Sequence, residues 1–340
     1  MDATPELRIA LVGCGAIAEW HLTAWRTGAP RTAVTACVDI DGPRAERLAA
    51  AAGAAAYTDL GEVFADPSID AVDIMLPHHL HEEVCLAAVA AGKHVLLEKP
   101  LAPTVPAAER ICAAARATDR VVMLAENAQY WPEVDVVAAA IEAGDIGEVV
   151  TARAWHCFPP MGDFFAGSDG ELPWRFDVAK AGGGVAIDAG SHWLRPLRRW
   201  LGEIDEVVAV TGHPYPDMQG ESMCRALCRV RGGVVASFDA LLVPGAVAMG
   251  PLFQVTGTAG ELVVEALGDV RLFDGSAFEG TVIATGGYME SYPAEMADFE
   301  AAVLDGTPPA AGPDEALGEL RAALAMYRSA ESGRWEKVWE

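Results

Sequence analysis

Five largely apolar runs in the first 126 residues, RIALVG, AVTACVD, AVDIML, HVLLE and RVVMLAE, alternate with Ala-rich stretches such as PRAERLAAAAG and HEEVCLAAVAAG. That alternation leaves few folds open. A strand apolar at every position is buried on both faces, and the helices between such strands are what cover them. The runs therefore predict a doubly wound parallel sheet in an α/β domain. With 52% hydrophobic residues over 340 positions, the chain has material for two cores.

From Val149 the pattern changes to longer β-rich runs joined by Gly-containing connections: VVTARAWHCF, DEVVAVTGH, SMCRALCRVRGGVVASFDALLV, FQVTGTAGELVVEA and VRLFDG. These predict a large, open, mostly antiparallel sheet in a C-terminal α/β domain. The division falls at residues 1–126 and 127–340, with a linking helix from Pro132 to Ala143 stopped by Gly144. Two amphipathic helices follow near the C-terminus, PAEMADFEAAVLDG and PDEALGELRAALAMYRSAESG, and the final RWEKVWE supplies one short edge strand.

A net charge of −25 repels polyanions, which argues against nucleic-acid and anionic-membrane partners and leaves small molecules. The seven cysteines lie in or beside apolar segments without metal-like spacing and read as reduced core thiols. Asp2 and Glu6 precede the first apolar run, which breaks at Gly13, so it reads as neither signal peptide nor membrane span and the expected compartment is cytoplasmic.

Gly13-Cys14-Gly15-Ala16-Ile17-Ala18 follows a strand and opens a helix. Glycines there allow a tight turn and let backbone N–H groups approach a pyrophosphate, so Gly13, Gly15, Ala16 and Ile17 are candidate dinucleotide contacts. Asp39, at the end of the second strand, suits the two ribose hydroxyls and would repel a 2′-phosphate, which favours NAD over NADP; taken alone it reads more readily as an ordinary solvated strand-end acid. Leu76-Pro77-His78, at the end of the third strand, and His81, in the next helix's first turn, are read as cofactor-side residues. The histidine cluster lacks a carboxylate or cysteine partner at zinc-like spacing, so no metal is expected.

Glu98-Lys99-Pro100 closes an apolar strand on the carboxyl edge, where open α/β sheets bind ligands, and Pro100 keeps Lys99 out of a helix. Further on, Gly182-Gly183-Gly184 precedes VAIDAGSHW, with Asp188 and His192 four apart and so on one face of a helix that begins by Asp188. Taken singly, Asp188 is also a helix cap and His192 a core imidazole. A lysine, a carboxylate and an imidazole together make a proton-handling set.

VGCGAIA, EKP, WRFDVAKAGGG, GGGVAIDAGSHWLRPLRRWLG and the closing helix around Tyr292 to Gly306 stand in an order that resembles the Gfo/Idh/MocA oxidoreductases over nearly the whole chain. The resemblance implies a Rossmann domain, a second α/β domain whose open sheet mediates a homo-oligomer, dimer or tetramer, and a catalytic set of Lys99, Asp188 and His192. The implied reaction is hydride transfer between nicotinamide and a secondary alcohol or ketone of a sugar or cyclitol. Glu98, Asn127, Trp174 and Arg175 join the cofactor-side candidates, and Tyr130, Trp155 and Arg175 the substrate-side ones. The stretches at 159–173 and 213–222 are the segments expected to shape the pocket. Two alternatives stay open: a dinucleotide-binding sensor without turnover, and an NAD-using glycosidase with no net redox.

Overall fold

The computed structural model describes residues 6–160, 173–246, 250–266, 268–276 and 278–340. The expected segment at 159–173 therefore falls largely outside the described residues. The chain forms two compact units, one of residues 1–126 with 292–317 and one of residues 127–291 with 318–340.

The first unit alternates strand and helix: β1 (Leu7–Val12), α1 (Ala18–Gly28), β2 (Thr32–Val38), α2 (Gly42–Ala52), β3 (Ala55–Tyr57), α3 (Leu60–Ala65), β4 (Ala71–Ile74), α4 (His81–Ala90), β5 (His94–Glu98), α5 (Val105–Ala117) and β6 (Val122–Ala125). All described strands pair in parallel, in the order β3-β2-β1-β4-β5-β6. The order reverses at β1, so the carboxyl ends of β1 and β4 border the crevice where such sheets take ligands. β4 and β6 are buried at every position, as a doubly covered strand requires. The sequence predicts five strands and the structure adds β3, a three-residue edge strand whose Ala-rich sequence continues the composition of α2.

The second unit runs α6 (Pro132–Ala143), β7 (Val149–Phe158), α7 (Val178–Ala181), α8 (Ser191–Leu201), β8 (Ile204–Gly212), β9 (Met223–Val230), β10 (Val235–Leu242), β11 (Phe253–Gly257), β12 (Glu261–Val264), β13 (Val270–Phe273) and β14 (Thr281–Ala284); the chain then forms α9 (Ser291–Leu304), which from Tyr292 on belongs to the first unit, and α10 (Pro313–Ser332), which returns to the second unit from Gly318 and leads to its last strand, β15 (Glu336–Lys337). The described strands form one sheet ordered β14-β13-β12-β11-β7-β10-β9-β8-β15, antiparallel except where β7 meets β10. α6 ends at Gly144 in the left-handed conformation, as its sequence predicts. The sheet alternates cleanly: Ala152, Ala154 and His156 of β7 are buried, while Thr151, Arg153 and Trp155 point the other way. No helix among the described residues is long and apolar enough to cross a membrane.

Where the sequence boundary runs once at 126/127, the chain returns: residues 292–317 cluster with the first unit. Phe299 of α9 meets Trp25 of α1 edge to face at 5.8 Å, Arg31 pairs with Glu300 and Asp305, and Leu124 N donates to Ala311 O at 2.8 Å. Apolar helix periodicity marks α9 as a helix and carries no information about which core it joins.

In the second unit, α8 is fixed to α10 by a buried charge cluster. Arg195 Nη2 donates to Glu319 Oε2 at 3.1 Å, Arg198 pairs with the same carboxylate, and Arg198 Nη2 also reaches Glu203 at 2.6 Å. Glu319→Ala is expected to leave Arg195 buried without this carboxylate and to cost roughly 3 to 5 kcal/mol, read as a lower urea midpoint at unchanged slope.

Candidate active site

At the Gly-rich turn, Gly13 has φ +92°, and a Cβ there would sit 2.5 Å from the carbonyl oxygen of Met75. Only glycine lets the turn lie on the end of β4 this closely. Gly15 differs: a Cβ there would meet nothing within 4 Å, so open space lies beside the turn at the start of α1. Asp39 ties the turn to β2. Its Oδ2 accepts from Cys14 N at 2.8 Å and its Oδ1 from Asp41 N at 2.9 Å. A carboxylate offers about four lone-pair sites, so capacity remains for hydroxyl donors. Arg44, the cation nearest in sequence, pairs with Asp41 at 3.2 Å. An open cradle at a helix N-terminus and an oriented carboxylate beside it fit a dinucleotide.

Lys99 follows β5 directly, and two buried imidazoles grip its neighbours. His21 of α1 is fully buried, with Nδ1 2.9 Å from Asp73 Oδ2 and Nε2 3.2 Å from Glu98 Oε1. Trp25 Nε1 donates to the same Asp73 oxygen at 2.8 Å. Burial opposes charging His21, but the Asp73 and Glu98 carboxylates outweigh it and hold the ring well above the usual imidazole range. Glu295 of α9 lies in the same buried patch, and burial pushes its carboxyl well above the ordinary carboxylate range. His81 contacts Pro100 O at 2.8 Å through Nδ1 and Leu76 O at 2.9 Å through Nε2. The Lys99-Pro100 bond is cis.

Glu98 and His81, expected on the cofactor side, thus have these groups turned to the interior, and they act by placing Lys99, Pro100 and Leu76. Adjacent strand residues point to opposite faces, which sends Glu98 inward beside Lys99. His78 is buried against His81 with ring centroids 5.5 Å apart, and Leu76 and Pro77 are half-buried at the end of β4. His21 escapes sequence reasoning because it occupies an apolar face of α1 with Ala18, Leu22 and Trp25. Its one signal is a histidine where the helix pattern asks for an aliphatic residue.

In the second unit, α8 begins at Ser191, so Asp188 precedes the helix in a turn and does not share its face with His192 by helical periodicity. The cap is Gly190, without a side-chain bond, and Asp188 is not the cap. Asp188 Oδ2 instead accepts from Arg175 Nε at 3.1 Å, and the Arg175 guanidinium lies over the Trp174 ring at 4.4 Å. In residues 191–198 only His192 is partly exposed. Its ring lies 6.1 Å from Trp131, and Pro196 supplies no N–H to the His192 carbonyl one turn back. Asp188, Arg175, Trp174 and His192 can therefore bind a hydroxyl-rich molecule and move a proton.

Trp155 is a correction. It lies on the sheet face opposite Ala152, Ala154 and His156, with Arg153 stacked over it at 4.7 Å, whereas α8 packs through Trp193 on His156 at 4.3 Å. The two-residue period of β7 sends it away from His192, so it is no substrate contact there. The aromatic set on the covered face is His156, Phe158, Trp193 and Trp131. Asn127 is buried and donates to Ser291 Oγ at 3.1 Å, and Tyr130 closes the same short turn half-exposed. The stretch at 213–222 is exposed at His213, Pro214, Pro216, Asp217 and Gln219 and anchored elsewhere: Tyr215 meets Phe176 at 5.2 Å, Gln219 N donates to Phe176 O, and Met218, Glu221 and Ser222 are buried.

Comparison with known proteins agrees with this architecture. A profile described as an oxidoreductase family with an NAD-binding Rossmann fold matches residues 7–126, and one described as the GFO/IDH/MocA C-terminal domain matches residues 134–263. A 1,5-anhydro-D-fructose reductase of Ensifer adhaerens is 30% identical over 97% of this chain and 98% of its own. A levoglucosan dehydrogenase of Pseudarthrobacter phenanthrenivorans is 35% identical over 52% of this chain and 44% of its own. A crystal structure of an NAD binding oxidoreductase from Klebsiella pneumoniae superposes with TM-score 0.84 at 27% identity, covering 98% of this chain and 99% of that one. With both halves of the chain matched and one relative similar along its full length, this protein belongs to the GFO/IDH/MocA family of NAD-binding oxidoreductases.

Proposed function

We propose that the protein is an NAD-dependent dehydrogenase or ketoreductase acting on a secondary alcohol or ketone of a sugar, cyclitol or sugar derivative. The observation that carries this reading is the start of α8, where His192 is partly exposed among buried neighbours and Asp188 stands four residues before it in the preceding turn, oriented by Arg175. Bound nicotinamide supplies the hydride acceptor or donor. His192 takes the hydroxyl proton as general base, and Asp188 accepts from a neighbouring substrate hydroxyl. Lys99 donates to the reacting oxygen as negative charge develops on it. Trp174 offers an aromatic face to the apolar C–H face of a ring. The named relatives include a sugar reductase and a sugar dehydrogenase, which supports a polyhydroxylated substrate.

Preference for NAD over NADP rests on Asp39. Two backbone amides orient its carboxylate, and Arg44 is paired with Asp41. The same reading includes a homo-oligomer through the open face of the second sheet, where Val150, Val210 and Leu227 are exposed.

Turnover is to be followed as nicotinamide absorbance with inositols, aldoses, anhydrosugars and aminosugars, in both directions. NAD-dependent turnover is expected, with His192→Ala and Lys99→Met each lowering kcat by roughly a hundredfold or more. Absence of turnover in both directions, or full turnover in His192→Ala, defeats the reading. Asp39→Asn is expected to narrow the preference for NADH over NADPH about tenfold in fluorescence titrations, because it removes the charge that repels a 2′-phosphate while keeping an acceptor for one amide.

A further inference from the structure

The turn that carries Asp188 is held by a buried group that the proposed reaction does not use. Glu221 comes just before β9 and Tyr327 comes from α10, and both face residues 183–186. Glu221 Oε1 accepts from Ala186 N at 2.8 Å and from the Tyr327 hydroxyl at 2.9 Å. The Tyr327 oxygen in turn accepts from Gly184 N at 3.1 Å, and Glu221 O accepts from Val185 N at 2.9 Å. These bonds take up the amides of three consecutive residues.

Contact is equally close. A Cβ on Gly184 would sit 1.9 Å from Glu221 O, and one on Gly183 would sit 2.4 Å from the Tyr327 hydroxyl oxygen. The triple glycine therefore answers to Glu221 and Tyr327. From the clamped segment the backbone continues in register: Asp188 N donates to Gly184 O at 3.2 Å, and Gly190 N to Val185 O at 2.8 Å, one residue before α8. What fixes Gly184 and Val185 fixes Asp188 and the entry of α8.

We propose that Glu221 is the positioning residue of this turn, acting with Tyr327, and that its protonation state sets how firmly the Asp188 segment is closed. The proposal rests on the reading of Asp188 and His192 as the reactive residues. Burial pushes the Glu221 carboxyl up to about 7, although the amide and hydroxyl donors pull it down. The groups facing it are Tyr327 from α10 and Cys224 from β9, and burial together with the Glu221 charge holds both well above their usual values. His213, from the end of β8, contacts Gly220 O at 3.1 Å one residue before Glu221. A proton on Oε2 leaves Oε1 both of its donors and removes a buried charge. Because the closed form binds that proton more tightly than an opened, solvated one, closure is strongest at low pH and weakens as pH rises through 7.

Hydrogen–deuterium exchange of the full-length protein, followed on peptides covering 183–192 from pH 5 to pH 8 and corrected for the intrinsic rate, tests this without a substrate. Wild-type protection is expected to fall at least about tenfold across that range. Glu221→Gln is expected to flatten the profile, since a carboxamide keeps the acceptor and does not titrate. Tyr327→Phe, which removes one hydroxyl from a ring that keeps its packing, is expected to lower protection at every pH while keeping the slope. A flat wild-type profile, or an unchanged slope in Glu221→Gln, overturns the proposal. His192→Ala is expected to exchange like wild type, so loss of the catalytic reading shows in turnover and loss of this one in exchange.

Discussion

Two turns in this chain lay backbone on backbone at separations that no Cβ tolerates, and the placement of the candidate site side chains depends on both. At Gly13 the first turn rests on the carbonyl of Met75, which sets the crevice end of β1 against β4 and brings Cys14 N onto Asp39. At Gly184 the second rests on Glu221, which sets the path of the chain into Asp188 and α8. The energetic logic is the same in each: a glycine gives up side-chain packing so that a main-chain amide reaches a carboxylate. A side chain at either position would meet backbone oxygen well inside van der Waals contact, so the turn, and the groups it carries, would have to shift.

Around these turns each unit uses buried charge to fix direction. His21 lies between the Asp73 and Glu98 carboxylates, and it settles which way the end of β5 presents Lys99. Arg195 and Arg198 around Glu319 settle how α8 lies on α10, and so where His192 emerges. Removing one partner from such a set is costly because the remaining charge stays out of water. That favours one arrangement over nearby ones more than it adds stability.

Much of the fold was legible because its elements carry strong local signals. The five largely apolar runs, α6 with its Gly144 stop, β7 from Val149 to Phe158 and the short C-terminal edge strand all follow from periodicity and turn chemistry. The candidate site was legible where a motif forces a backbone shape, as at Gly13, Lys99-Pro100 and the triple glycine. It was not legible where the decisive partner is distant in sequence. Asp188 lies outside the helix in a turn whose preceding amides are taken up by Glu221 and Tyr327, and four-residue spacing looks the same either way. Trp155 and His156 are neighbours in sequence and sit on opposite faces of the sheet, and only the packing of Trp193 on His156 shows which face meets α8.

The sequence by itself determined the elements, their α/β order and the residue types available for proton handling, because apolar period, capping and glycine turns act within a few residues. The tertiary structure alone decided that residues 292–317 return to the first unit, that His21 and His81 grip the segment bearing Lys99, and that Glu221 stands under the Asp188 turn. Those are contacts between residues tens to hundreds of positions apart. They are selected by burial and by the need of each buried polar group for a partner, which no local pattern encodes.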